Sequence, residues 1–283
     1  MNCRVCEHSV APFATAQVLA RYDVRYFRCD RCGFIQTEPP YWLDEAYADA
    51  ITRTDVGLVS RNATLSSIAG ALIKVFFDPE GMFVDYGGGY GILVRLMRDG
   101  GLDFYRYDPL CANLFAKDYD VNPVEATRFE LLTAFEVLEH LADPRASLAQ
   151  MARMSDNIFF MTELVPPGNP GPDAWAYYGL DHGQHVALYS RRTLEFMAQE
   201  LGLHLHTNGK SLHLFTRRRI SDALFRWVVR HKISQLINLF TRRRSLQADD
   251  HARALRSTGL ARRQPADSGA GLASTSGDRA GVP

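Results

Sequence analysis

Apolar residues recur at helical spacing over Leu58–Phe77, where Leu65, Ile68, Ala69, Leu72, Ile73 and Phe76 share one face. Pro79 and Gly81 break that run, and an apolar strand, Met82–Val84, follows. The period then switches repeatedly between strand and helix. A helix over Ile92–Arg98 closes at Gly100-Gly101, and a strand over Asp103–Tyr107 ends at Asp108-Pro109. Strands over Leu131–Phe135 and Ile158–Thr162 flank a helix over Pro144–Met154. Ser190 reads as the N-cap of a helix whose Leu194, Met197, Ala198 and Leu201 share a face, with Gly202 as its stop. Leu203–Thr207 and Ser211–Thr216 form a predicted β-pair around Asn208-Gly209. This alternation predicts an α/β fold with a doubly wound, mostly parallel, seven-stranded sheet.

Composition bounds the rest. With 283 residues, 46% of them hydrophobic and 23% charged, the chain is long enough for a substantial core. No apolar run approaches the roughly 18 residues of a membrane span, and the first residues lack a secretory apolar stretch. The expected compartment is the cytoplasm, with reduced thiols. The net charge of zero conceals an asymmetry. Residues 1–216 hold 18 Lys+Arg and 27 Asp+Glu (−9), whereas residues 217–263 hold 13 Lys+Arg and three Asp (+10). Four regions follow: 1–40, a metal-binding module; 41–216, the α/β domain; 217–256, a basic amphipathic helical extension; 257–283, a Ser/Gly/Ala-rich tail expected to be disordered.

The glycine-rich stretch Asp85-Tyr86-Gly87-Gly88-Gly89-Tyr90-Gly91 lies where a strand hands over to a helix, and Asp108 ends the next strand. Glycines permit a tight turn and close approach of a ligand to the main chain, and amides at a helix start suit a polar group. An acid at the end of the second strand suits ribose hydroxyls, so the unit reads as a nucleoside-cofactor site. The opposing reading, a tight turn beside a surface carboxylate, is weakened by this context.

The Gly87-x-Gly89-x-Gly91 spacing with Asp85 before it, together with Phe135-Glu136-Val137-Leu138-Glu139-His140-Leu141-Ala142-Asp143-Pro144, resembles the class I S-adenosylmethionine (SAM)-dependent methyltransferases. The resemblance implies that Asp85, Gly87, Gly88, Gly89 and Gly91 hold the methionine part of SAM and Asp108 the ribose. It also implies that Phe135 and Glu136 line the pocket. Glu125 is the candidate adenine-contacting acid, because the segment between Asp108 and Leu131 is short. The Glu139-His140 pair recurs across substrates in that family, which implies a shared structural role.

Cys3-x-x-Cys6 and Cys29-x-x-Cys32 offer two thiolate pairs to one tetrahedral ion, so Cys3, Cys6, Cys29 and Cys32 are the expected ligands of a structural zinc. Cys111 stands apart as a packed thiol. A four-cysteine module ahead of such a domain resembles short relatives of the sugar C-methyltransferases. That resemblance implies a small sugar-like or glycan-linked acceptor, methylated at oxygen or carbon. The rival class is a non-catalytic SAM- or nucleotide-binding protein.

A proton acceptor is sought in Tyr177–His185, between the last parallel strand and the next helix. His185 is the favoured base, because Gln184-His185 before a Tyr-Ser helix start resembles the family pattern, and His182 is the second candidate. Trp175, Tyr177 and Tyr178 suit either sugar stacking or loop packing.

In the extension, Phe225, Val228, Val229, Ile233, Leu236, Ile237 and Phe240 fall near one face of a helix expected over Ala223–Phe240, between two arginine triplets. Membrane-surface contact through 217–244 at the inner face, docking on the acidic body and homodimerisation stay open, and nucleic acid is disfavoured.

Overall fold

The computed structural model describes residues 1–48, 52, 54–122 and 127–258. Residues 1–247 form one compact unit, and a second begins at Ala248. Glu125 and nearly all of the tail expected to be disordered lie outside the described residues.

Three strands open the chain: β1 (Ala11–Val18), β2 (Tyr22–Arg28) and β3 (Ile35–Thr37), followed by a short helix α1 (Leu43–Ala46). The alternating part comprises α2 (Leu58–Phe76), β4 (Met82–Tyr86), α3 (Ile92–Asp99), β5 (Asp103–Tyr107), β6 (Leu131–Phe135), α4 (Pro144–Met154) and β7 (Asn157–Met161). Then come β8 (Ala187–Leu188), α5 (Arg191–Glu200), β9 (His204–Thr207), β10 (Leu212–Thr216), α6 (Asp222–Val228) and α7 (His231–Phe240). By itself, α8 (Gln247–Ser257) is an amphipathic helix with Asp249 and Asp250 in its first turn and Arg256 in its last.

The main sheet runs β5-β4-β6-β7-β10-β9, with the first four strands parallel and β10 antiparallel to both neighbours. It has six strands among the described residues, where seven were expected. At the β5 edge the chain makes only one parallel bridge, Arg106 to Asp120, so the short segment after Asp108 gives a contact in place of a strand.

Strands β6 and β7 are almost uniformly buried because helices cover both faces. Phe83, Phe104, Leu131, Phe159 and Leu214 face α2, α3 and α6. Val84, Leu132, Ile158, Phe160 and Phe215 face α4 and α5. The Asn208-Gly209 turn joins β9 to β10, with Gly209 at φ +80°.

The N-terminal strands form a second sheet, β1-β2-β3-β8, whose fourth strand comes from residues 187–188. The Cys32 carbonyl accepts hydrogen bonds from Ser190 Oγ and Thr193 Oγ1 at the start of α5, both at 2.9 Å. Trp42 Nε1 donates to the Gly183 carbonyl, and Gln184 Nε2 donates to the Ala46 carbonyl, each at 2.8 Å.

The extension differs from the single helix expected over Ala223–Phe240. Arg230 takes an extended backbone (ψ 123°), which separates α6 from α7. Phe225, Val228 and Val229 complete the core beside α2. Ser234 Oγ lies 3.2 Å from Ser67 Oγ, and Asn238 bridges the Ser67 carbonyl and Lys74 Nζ at 2.7 and 2.9 Å. Part of the apolar face that the sequence offered to solvent is therefore docked.

Candidate active site

A cavity of about 800 Å³ opens at the carboxyl ends of β4, β5 and β6, where ligands bind in open α/β sheets. The glycine turn, Asp85, Asp108, Phe135 and Glu136 line it together with His140, His182 and His185. Of the sequence-derived candidates for SAM and for proton transfer on described residues, all but Gly91 thus border one space, and Gly91 packs against Asn113 and Ala116.

The turn is glycine-rich for steric reasons. Gly87, Gly89 and Gly91 have φ of +70°, +53° and +86°. A Cβ on Gly87 would stand 2.7 Å from Val137 Cγ2. The four glycine amides within the turn are engaged by the protein itself. Those of Gly87 and Gly88 donate to the Tyr107 carbonyl at 2.7 and 3.3 Å, and Gly91 donates to Gly88 at 2.9 Å. The Gly89 amide donates to Asp108 Oδ2 at 2.8 Å. Asp108 Oδ1 accepts from the Leu110 and Cys111 amides, also at 2.8 Å, so this carboxylate is locked between two loops. Arg106, which sequence reasoning overlooked, is buried and donates to the Gly89 carbonyl at 2.7 Å. The turn supplies shape, and side chains supply the polarity.

Asp85 is buried at the end of β4 and accepts from Thr133 Oγ1 at 2.7 Å. Burial outweighs that bond and pushes the carboxyl up to about 7. Glu136 follows β6 at φ +55°, a conformation that costs a non-glycine residue about 1–3 kcal/mol and that clusters at functional sites. Its Oε1 is buried with no hydrogen-bond partner, and burial, reinforced by Glu139, pushes the group up to about 8. A buried oxygen with no partner is uncommon, since most buried polar atoms are hydrogen-bonded.

A second network lies across the cavity. Glu139, fully buried, accepts from Tyr177 Oη at 2.5 Å, and burial pushes it up to about 7. The Tyr177 carbonyl accepts from His185 Nδ1 at 2.5 Å. A carbonyl can only accept, so Nδ1 carries the proton and Nε2 keeps its lone pair. Burial holds His185 below its usual pKa and therefore neutral. His182 has the opposite tautomer, because its Nδ1 accepts from the Gln184 amide at 3.2 Å. Its Nε2 edge packs over Gly179, where an added Cβ would meet it at 2.3 Å. His140 Nδ1 bonds to Tyr47 Oη at 3.0 Å, and its ring sits edge-on to His185 at 4.9 Å. Tyr47 and the Glu139–Tyr177 link were invisible in the sequence, since nothing local pairs them. Trp175 stacks beside Tyr177 in the wall, and Cys111 is half-buried at the rim.

Residues 62–208, more than half of the chain, match the family model described as a methyltransferase domain. The chain belongs to this family. Comparison with curated protein sequences gives no match. Among solved structures it is similar to CalO1, a methyltransferase in calicheamicin biosynthesis, in its SAH-bound form (18% identity, TM-score 0.44, covering 63% of this chain and 60% of that one). It is also similar to an O-methyltransferase family protein from Burkholderia thailandensis (12%, TM-score 0.44, 65% of each chain). A third is the mitomycin 7-O-methyltransferase MmcR (14%, TM-score 0.42, 62% and 60%). The chain thus matches about three fifths of the length of CalO1. The family assignment rests on the sequence match, and residue roles rest on the geometry above.

Away from the cavity, the sulfurs of Cys3, Cys6, Cys29 and Cys32 are all buried and lie within 4.8 Å of one another. Cys3 and Cys32 are 3.6 Å apart, and Cys6 and Cys29 are 3.5 Å apart.

Proposed function

We propose that this chain transfers a methyl group from SAM to a small sugar-like or glycan-linked acceptor, at oxygen or carbon. The carrying observation is a cavity lined by Asp85, Asp108 and Glu136 together with His140, His182 and His185. Its volume of about 800 Å³ lies within the range of small-ligand pockets and leaves room for two molecules side by side. SAM supplies an electrophilic methyl group on a cationic sulfonium. Asp85 and Glu136 suit such a cation, Asp108 suits the ribose hydroxyls, and the unpartnered Glu136 Oε1 has capacity for a further donor. Gly87, Gly88 and Gly89 would lie against its body and Phe135 against its flank. On the acceptor side, His185 Nε2 would take the proton released as the new bond to carbon forms. His140 and the Glu139–Tyr177 link would hold the ring, and His182 would line the entrance.

Calorimetric titration with SAM tests the reading first. Micromolar heat with wild type and at least tenfold weaker binding by Asp108→Ala is expected; no heat would remove it. Labelled SAM with nucleotide sugars and lipid-linked glycans then separates the enzyme from a non-catalytic SAM-binding protein.

The N-terminal cysteines support a structural zinc. Four thiolates at about 2.3 Å from a tetrahedral ion stand about 3.8 Å apart, close to the spacing of the two sulfur pairs. A single zinc per chain by elemental analysis is expected, and a folded, metal-free protein in reductant would exclude it. Such thiols require a reducing compartment, which supports the cytoplasm.

A further inference from the structure

Docking of the C-terminal extension uses only one side of it. Leu224 and Trp227 of α6, three residues apart, and Leu236, Leu239 and Phe240 of α7 stay exposed, Trp227 by 45%, Leu239 by 60% and Phe240 by 79%. Lys232, Leu236, Leu239 and Phe240 recur at i, i+4, i+7 and i+8 and so lie along one side of α7. That side is distinct from the one that places Ser234 and Asn238 on α2.

Cations surround this apolar surface. Residues 217–244 hold nine Lys+Arg and a single acid, Asp222. Asp222 is engaged by His206 Nδ1 at 2.6 Å and neutralises none of them. Arg217, Arg218 and Arg243 pair with Asp156, Glu130 and Glu80. Arg219, Arg226, Arg230, Lys232 and Arg242 have no acidic partner among the described residues.

We infer that the exposed side of α6 and α7 is a docking surface for an anionic lipid bilayer. Exposed aliphatic and aromatic side chains beside unpaired cations match the two layers of such a surface: acyl chains below, phosphates above. A second copy would set the same excess of cations against itself, which opposes a two-fold pairing. A nucleic acid would satisfy the arginines and leave Leu236 and Leu239 in water. The rest of the body, at −9 over residues 1–216, is repelled by the same lipid surface, so the extension would also fix its orientation. No helix among the described residues is long and apolar enough to span a membrane, so the contact would be peripheral.

Because Phe225, Val228 and Val229 belong to the core, deleting the extension would test stability instead of docking. Point substitutions of exposed residues in the full chain avoid this. The measurement is co-sedimentation with phosphatidylcholine vesicles that contain about 30% anionic phosphatidylglycerol or none, where each cation near the anionic surface contributes about 1 kcal/mol. Binding is expected only to the anionic vesicles and is expected to be lost at high salt. Leu239→Ser/Phe240→Ser and, separately, Arg226→Ala/Arg230→Ala should each weaken it at least tenfold, while SAM affinity and melting temperature stay at wild type. Trp227 emission should shift to the blue on vesicle binding and lose that shift in Trp227→Phe. Absence of binding to anionic vesicles overturns the inference, as does binding indifferent to both variants. A concentration-dependent dimer abolished by Leu239→Ser/Phe240→Ser would assign the surface to a second copy instead. The SAM titration of the same preparations reports on the methyltransferase reading separately.

Discussion

His185 and His182 are three residues apart and differ in which nitrogen keeps its lone pair. The Tyr177 carbonyl fixes the proton on Nδ1 of His185, leaving Nε2 as an acceptor, whereas His182 accepts at Nδ1. His185→Ala should therefore lower the single-turnover rate by about 100-fold or more, with SAM affinity unchanged. Burial lowers the His185 pKa from 6.5, so the acid limb of the rate profile should lie below pH 6.5. An unchanged rate would place the base elsewhere. Asp85 carries a different expectation. Its ionised form is disfavoured by burial, yet it faces the end of the cavity suited to a cation. Asp85→Asn keeps an oxygen for the Thr133 hydroxyl and removes the buried charge. Urea unfolding should show equal or greater stability than wild type, while calorimetry shows SAM binding weakened at least tenfold. Loss of both would mean that Asp85 holds the turn and not the ligand.

At the scale of elements, the N-terminal sheet and the histidine-bearing segment share one construction. β8 completes the sheet of β1–β3, and the Cys32 carbonyl caps side chains at the start of α5. Just before these anchors, the Val186 amide donates to the Glu139 carbonyl at 2.9 Å. A metal in the cysteine nest would thus hold the strand that follows His185. Cys32→Ser, or removal of zinc by a chelator, should raise amide exchange over residues 183–190 as well as 1–40 and lower the turnover rate. The β4–α3 turn and SAM affinity should be spared, because none of those anchors touches the turn. Exchange confined to residues 1–40 would show that the module is only appended.

At the scale of the whole molecule, two buried carboxyls line the cavity, Asp85 at about 7 and Glu136 at about 8, and Glu139, at about 7, lies behind it on Tyr177. All are raised above their ordinary values of 3.8 and 4.5. The native state therefore holds more protons than the unfolded chain between these limits, and these groups lower stability as pH rises from about 4 to about 8. A cationic ligand favours the ionised forms. SAM binding should accordingly release protons, tighten from pH 6 to pH 8, and raise the melting temperature more at pH 8. Calorimetry in two buffers of different ionisation enthalpy measures the proton count. Proton uptake, or affinity flat across this range, would contradict the arrangement.

The sequence by itself determined most elements. Strand and helix periods, the Ser190 cap, the Asn208-Gly209 turn and the spacing of glycines and cysteines each depend on a few neighbouring residues, so they are legible locally. β5, β6 and α4 span the residues that the pattern indicated. Tertiary structure decided what depends on partners far along the chain. Whether the segment after β5 pairs over one residue or several fixed the sheet at six strands. Docking on α2 divided the extension and chose which apolar residues stay in water. The Tyr177 hydroxyl meets Glu139 across 38 positions, and only that meeting places a buried acid behind the histidines. The amides of the glycine turn seemed free because a sequence shows donors without their acceptors. In the fold, Tyr107 and Asp108 take those of Gly87, Gly88 and Gly89.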